Sequence, residues 1–156
     1  MRLFPATTLS LMLALLLWGC AQDVYQQRAG AMKAHTRAFY GHLHADRVTA
    51  AVLENEQIEA MARDIEAGIR RRPHQPGTNQ VDRDWMQVRA ANETAAENWL
   101  SLAKYFVLKK QYVQARGTYQ RVLATYNGPT YQTYTDRART GLQDLDMILS
   151  PSKGLS

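Results

Sequence analysis

Three histidines fall close together, His35, His42 and His44, with Asp46 just behind them. Imidazole and carboxylate are ordinary ligands for zinc or copper, so metal chemistry would sit here. The spacing argues against it. On a helix His35 and His42 share a face while His44 points elsewhere. Gathering them needs a turn near Gly41, and a fourth ligand is lacking. Surface or half-buried histidines are the plainer reading, and no metal or other cofactor is expected. Glu93 and Glu97 stand i,i+4 on one predicted helix, too close in sequence to face each other across a sugar bond. With Arg89 they make a solvated face. Ser101 is the one serine between Cys20 and the C-terminal tail, and no Gly-x-Ser-x-Gly surrounds it. His-Glu-x-x-His and Gly-rich phosphate loops are absent. No catalytic residue is assigned, and the chain is read as non-enzymatic.

The remaining reactive group is the single cysteine, Cys20. It follows a short positive start, Met1-Arg2, and an apolar run from Leu9 to Trp18. That run has the length of a signal-peptide core and is too short to span a bilayer, which takes about 20 residues. The segment ends Leu17-Trp18-Gly19-Cys20. This resembles the lipobox of bacterial lipoproteins, with an aliphatic residue at −3, a small one at −1 and Cys at +1. Trp18 at −2 departs from the usual small or aliphatic residue. The resemblance implies that the Cys20 thiol receives a diacylglycerol, that residues 1–19 are removed as a signal peptide, and that the new amino terminus is acylated. A thiolate suits thioether formation, and several acyl chains anchor durably where one is marginal. Ala21 and Gln22 follow in place of an Asp at +2, which by the same resemblance points to the outer membrane, periplasmic face. The other readings are an ordinary signal peptide, or a buried N-terminal helix with a chance cysteine.

Beyond Cys20 there is no further cysteine, so neither a disulfide framework nor a thiolate metal site is available. Without Arg2, 18 basic residues oppose 14 acidic ones, a net +4. The charge is uneven. From Ala50 to Ile69, Glu54, Glu56, Glu59, Asp64 and Glu66 oppose only Arg63. From Leu100 to Gly141, Lys104, Lys109, Lys110, Arg116, Arg121, Arg137 and Arg139 oppose only Asp136. The pattern reads either as two solvated helix faces or as a basic surface for an acidic partner. Nucleic acid is not expected.

These residues must be carried by helices, because helical periodicity dominates and period-two alternation is nowhere sustained. Tyr25, Met32 and Phe39 recur at seven, with Ala29 between. Val48, Val52, Ile58, Met61, Ile65 and Ile69 mark a second helix, capped by Asp46, with Glu59–Arg63 and Glu66–Arg70 as i,i+4 pairs. Arg70-Arg71-Arg72-Pro73 ends it. A loop covers 73–81. A third helix carries Val81, Trp85, Val88, Ala95, Trp99, Leu102 and Phe106, with a kink or an early start at Asn92. Lys109-Lys110-Gln111 turns into a fourth helix, Tyr112 to about Tyr126. A fifth carries Tyr131, Tyr134, Ala138, Leu142, Leu145 and Ile148 and stops at Pro151. The expected fold is all-α, about five helices in antiparallel hairpins. Its parts are a signal peptide (1–19), a lipidated tether (20–29), a helical hairpin (30–72), the loop, a second hairpin with a capping helix (82–149) and a flexible tail (150–156).

Trp99 to Leu123, "WLSLAKYFVLKKQYVQARGTYQRVL", resembles a tetratricopeptide repeat, two antiparallel helices in about 34 residues. Trp99, Leu102, Ala103, Phe106, Ala115, Tyr119 and Val122 fall on its pattern. Ala103 and Ala115 are small where the helices cross; Trp99, Phe106 and Tyr119 fill the space around them. Val122 replaces the usual Ala, and Asn127 stands at the usual Pro. The longer run through Ala138 is similar to repeats of outer-membrane assembly and envelope-coordination lipoproteins of the BamD and CpoB families. Upstream, Val48, Ala51, Asn55 and Ile58 echo Tyr112, Ala115, Tyr119 and Val122 at an offset of 64. Residues 30–61 are therefore either a degenerate first repeat or another amphipathic hairpin.

Six of the eight tyrosines lie between Tyr105 and Tyr134. Tyr112, Tyr119 and Tyr126, seven apart, suit packing. Tyr131 and Tyr134 are less constrained by the repeat pattern. With Lys104, Leu108 and Arg137 they are expected to line one groove for a peptide or glycan, since amphipathic rings and cations suit such contacts. The resemblances imply a lipid-anchored adaptor that docks an envelope protein or peptide. Two rivals stand beside it: a small envelope enzyme or metal-binding protein using His35, His42 and His44, and a structural lipoprotein that binds peptidoglycan.

Overall fold

The computed structural model describes residues 20–72 and 79–150. The expected signal peptide (1–19), most of the expected loop (73–78) and the expected tail from 151 lie outside the described residues. The chain divides into two units, 1–34 and 35–156. The described part of the first is the start of one helix, in which Tyr25 and Met32 are half-buried.

Five α-helices and one 3-10 turn make up the described residues, with no strand among them. They are α1 (Cys20–His44), α2 (Val48–Arg71), α3 (Asn79–Leu108), α4 (Tyr112–Thr125), the turn Pro129–Tyr131, and α5 (Gln132–Leu149). The expected tether, 20–29, is helical. Asn79 and Gln80, expected in the loop, already belong to α3. That helix runs unbroken through Asn92, whose Nδ2 donates to Tyr131 Oη at 3.1 Å.

The two hairpin turns share one geometry. At the end of α1, His42 C=O accepts Arg47 N–H and Leu43 C=O accepts Asp46 N–H. At the end of α3, Phe106 C=O accepts Gln111 N–H and Val107 C=O accepts Lys110 N–H. This is the six-to-one and five-to-two bonding of a Schellman motif. Its left-handed residue is Asp46 in the first turn (φ 57°) and Lys110 in the second (φ 58°). The following helices start alike, with Ala51 N–H on Arg47 C=O and Ala115 N–H on Gln111 C=O. Each element stands 64 residues from its counterpart, the offset of the sequence echo. Asp46 is thus not the cap of α2. The N-cap is Arg47, without a side-chain bond, and the Asp46 carboxylate instead accepts Tyr105 Oη and Lys109 Nζ from α3.

The core of the second unit is built from Phe39 on α1, Ala51, Ile58 and Ala62 on α2, Trp99, Leu100, Leu102, Ala103 and Phe106 on α3, Ala115, Tyr119 and Val122 on α4, and Ala138 and Leu145 on α5. All seven residues of the proposed repeat core are buried. Three stripes are shifted from expectation. In α2, Val48, Val52, Met61 and Ile69 are half-buried while Ala51, Asn55, Ile58, Ala62 and Ile65 face in. In α3, Trp85 is 44% exposed and Asp84 is buried, because its carboxylate accepts Arg72 Nη1 at 2.6 Å. In α5 the inward face is Thr135, Ala138, Gly141 and Leu145, and Ile148 is exposed.

Gly141 explains the last shift. A Cβ there would stand 2.3 Å from Tyr119 Cζ, so the Tyr119 ring lies directly on the α5 backbone. Contacts step along α3 and the α5 segment in the same sense, from Asn92–Tyr131 to Glu97–Arg137 to Lys104 and Leu108 beside Gly141 and Ile148. The two helices therefore run parallel, and α4 returns between them.

Candidate functional site

Side chains from α1 and α3, which open the two hairpins, and from α5, which follows them, converge on one polar cleft of about 370 Å³. Thr36 and Tyr40 come from α1, Glu93, Thr94, Glu97 and Asn98 from α3, and Tyr134 from α5. Tyr40 Oη and Ser101 Oγ are 3.1 Å apart, which links α1 to α3 at its edge. Asn98 is anchored from behind. Its Nδ2 donates to Asn55 Oδ1 at 2.9 Å, and Asn55 Nδ2 donates to Ala95 C=O at 3.1 Å, a buried amide pair that fixes α2 against α3.

The cleft is charge-paired. Arg89 Nε donates to Glu93 at 2.8 Å, and Arg137 grips Glu97 with both Nη atoms at 2.5 and 2.8 Å. The Arg137 guanidinium holds the Glu97 carboxyl below its ordinary pKa. Burial, then Glu93 and Glu97, push the Tyr134 phenol up from its ordinary value. Hydroxyls, a buried amide, an aromatic ring and salted carboxylates suit a ligand rich in amide groups.

The residues expected in one groove do not share one. Tyr134 lines the polar cleft. Tyr131 does not line it: it is half-buried, edge-on to Tyr126 at 5.7 Å and bonded to Asn92. Arg137 is held by Glu97. Lys104 and the 83% exposed Leu108 lie farther along, at a second, apolar groove. The separation follows from helix geometry. Lys104 is seven residues past Glu97, about 10 Å along α3.

The basic second half is also largely neutralised within the molecule. Lys109 pairs with Asp46, Arg116 with Asp146, Arg121 with Glu56 and Glu59, Arg137 with Glu97 and Arg139 with Asp136. The acidic α2 and basic α4 thus answer each other in part. Of the seven cations, Lys104 and Lys110 have no ion pair among the described residues.

Glu59 centres a node that the sequence reading missed. The expected i,i+4 pair with Arg63 is not what holds it. Instead its Oε1 accepts Trp99 Nε1 and Tyr126 Oη, both at 2.8 Å, and its Oε2 accepts Arg121 Nη2 at 3.1 Å. Arg121 in turn lies 3.9 Å over the Trp99 ring. The available signal was the stripe Ala51, Asn55, Ile58, Ala62, on which position 59 falls by i+4 from Asn55. The Glu66–Arg70 pair forms as expected.

Burial is the main cause that raises the Tyr126 phenol, with Glu59 adding to it, and burial likewise raises Tyr119. A phenol whose folded pKa exceeds its unfolded value of about 10 contributes stability that is whole below that pH and lost as pH rises. Stability should therefore fall above about pH 10. In Tyr126→Phe the fall should be shallower than in the parent, as read from urea midpoints against pH. An equal slope in both proteins would remove Tyr126 as a source.

His35 and His42 face one carboxylate, and His44 does not join them. His35 Nδ1 lies 2.7 Å from Glu54 Oε2 and His42 Nε2 3.8 Å from Glu54 Oε1, while His44 is exposed. No group of three or more metal-ligating side chains is assembled among the described residues. No described helix is long and apolar enough to cross a membrane. No family model matches the chain, and no curated protein or solved structure is significantly similar to it.

Proposed function

We propose that this chain is a lipid-anchored, non-enzymatic adaptor of the bacterial cell envelope, held through Cys20 on the periplasmic face of the outer membrane. It docks a protein or peptide partner in a tetratricopeptide-like surface formed by α1, α3 and α5. The carrying observation is the polar cleft to which all three helices contribute, backed by the buried Asn55–Asn98 pair. The repeated turn geometry, 64 residues apart, supports a two-hairpin scaffold behind it. A partner's backbone amides would meet Tyr134, Thr94 and the Glu97–Arg137 pair. Because those charges are already paired, recognition there is by hydrogen bonding and ring contact more than by net charge.

A photo-crosslinking side chain at Tyr134 of the full chain, in native membranes, should capture one discrete partner. The same group at Arg63, exposed on α2, should not. Equal capture at both positions, or none at Tyr134, would sink the adaptor reading. In the same preparation Cys20→Ser should remain an uncleaved precursor. A processed, membrane-bound Cys20→Ser protein would remove the anchor.

A further inference from the structure

The second groove, about 340 Å³, lies between the C-terminal halves of α3 and α5. Its floor is Tyr119 and Gly141; its walls are Val107 and Leu108 on one side and Leu145 and Ile148 on the other. Lys104 stands on the α3 rim and Asp144 on the α5 rim. Leu108 is 83% exposed and Ile148 47%, with Met147 and Leu149 exposed in the same last turn of α5. Scattered apolar side chains on a surface are ordinary, but a cluster rimmed by charge marks a contact site.

The rim charges decide the occupant. They are one of each sign, on opposite walls and at the same level along two parallel helices. Such a surface does not favour an anionic membrane or a uniformly acidic peptide, because Asp144 opposes what Lys104 attracts. It is complementary to itself. A two-fold axis along the groove, parallel to both helices, lays each α3 on the α5 of a second copy without reversing its direction. Lys104 then faces the opposite rim charge at the same level, and the Val107–Leu108 wall meets the Leu145–Ile148 wall. Each contact occurs twice, as in any isologous interface. An axis across the groove would instead set Lys104 on Lys104.

We propose that this groove is a homodimer interface, in which Lys104 of each copy pairs with Asp144 of the partner subunit across a shared apolar strip. The strip is short, about two turns of each helix, well below the roughly 800 Å² per partner of a standard stable interface. The association is therefore weak and concentration-dependent, with a dissociation constant on the order of micromolar. It does not depend on what the polar cleft binds.

Sedimentation velocity of the detergent-solubilised full chain over a concentration series tests this, with a charge exchange to identify the surface. Lys104→Glu sets two like-charge contacts in each dimer, and so does Asp144→Lys. Each should raise the dissociation constant about tenfold, while the double exchange restores it to within about threefold. Both residues are exposed, so helicity should hold throughout. Leu108→Asp, at an equally exposed position, should abolish the dimer. A monomer at every concentration overturns the proposal. So does a dimer indifferent to the single reversals, or a double exchange no tighter than the singles. Failure here leaves capture at Tyr134 untouched, and failure of that capture leaves the dimer standing.

Discussion

Replacing Glu59 by alanine should cost about 3–5 kcal/mol of stability, in the range measured when one partner of a buried charged network is removed. Glu59 is 7% exposed, and its carboxylate carries three donors: Trp99 from α3, Arg121 from α4 and Tyr126, the residue that caps α4. Without it, Trp99 Nε1 and Tyr126 Oη are left with no acceptor in a packed core, at about 1–3 kcal/mol each. Arg121 adds less. Its side chain is 39% exposed, so its charge can turn to water, but it then leaves the Trp99 ring. For a chain of this size the loss corresponds to a melting point lower by about 10 °C. Glu59→Gln keeps the shape and one acceptor oxygen and should fall between. Glu56→Ala, three positions back, half-buried and at the open edge of Arg121 at 3.5 Å, should move stability by less than about 0.5 kcal/mol. Calorimetry of the three variants decides the matter. A Glu59→Ala protein melting within about 2 °C of the parent would show that the node is not a structural centre.

The same node shows what was legible in the sequence. Residues whose environment follows from local periodicity were read where they lie. Trp99, Leu102, Ala103 and Phe106 recur at helical spacing, Ala115, Tyr119 and Val122 answer them across a tight turn, and all seven are buried. The echo between Ala51 and Ala115 was visible for the same reason, and the identical turns give it a backbone basis. What escaped was every choice between a local partner and a distant one. Glu59 had Arg63 four residues away, and took Trp99, Arg121 and Tyr126. Asp46 stood at an ordinary capping position and took Tyr105 and Lys109. Arg137 looked like a free cation until Glu97, forty residues earlier, was brought beside it. Charge counts along the chain carry no information about which opposite charges the fold will bring together. The candidate cleft was legible through Tyr134, and through Glu93 and Glu97 only as a solvated face, because Tyr40, Thr94 and Asn98 have no signature apart from the stacking of α1, α3 and α5.

Gly141→Ala should destabilise the protein by about 1–3 kcal/mol, the usual cost of overpacking, although alanine is the better helix former. Gly141 lies inside α5, where exchange for alanine ordinarily gains about 0.5–1 kcal/mol. Here the added methyl would meet Tyr119 Cζ at 2.3 Å and its two Cε atoms at 2.6 and 2.7 Å. All three lie far inside contact distance. The ring has little room to yield, since Tyr119 is 4% exposed. Either Tyr119 leaves its rotamer or α5 backs away from α4 and loosens the floor of the apolar groove. Gly117 supplies the contrast. It sits in α4, is exposed, and a Cβ there meets nothing within 4 Å. Gly117→Ala should therefore stabilise by about 0.5–1 kcal/mol, opposite in sign to the same exchange at 141. Removing the obstacle separates sterics from helix propensity. In a Tyr119→Leu background, Gly141→Ala should cost nothing or stabilise, giving a coupling of about 1–3 kcal/mol in a double-mutant cycle. If Gly141→Ala stabilises the parent as much as Gly117→Ala does, Tyr119 does not rest on the α5 backbone, and the close α4–α5 crossing described above is wrong.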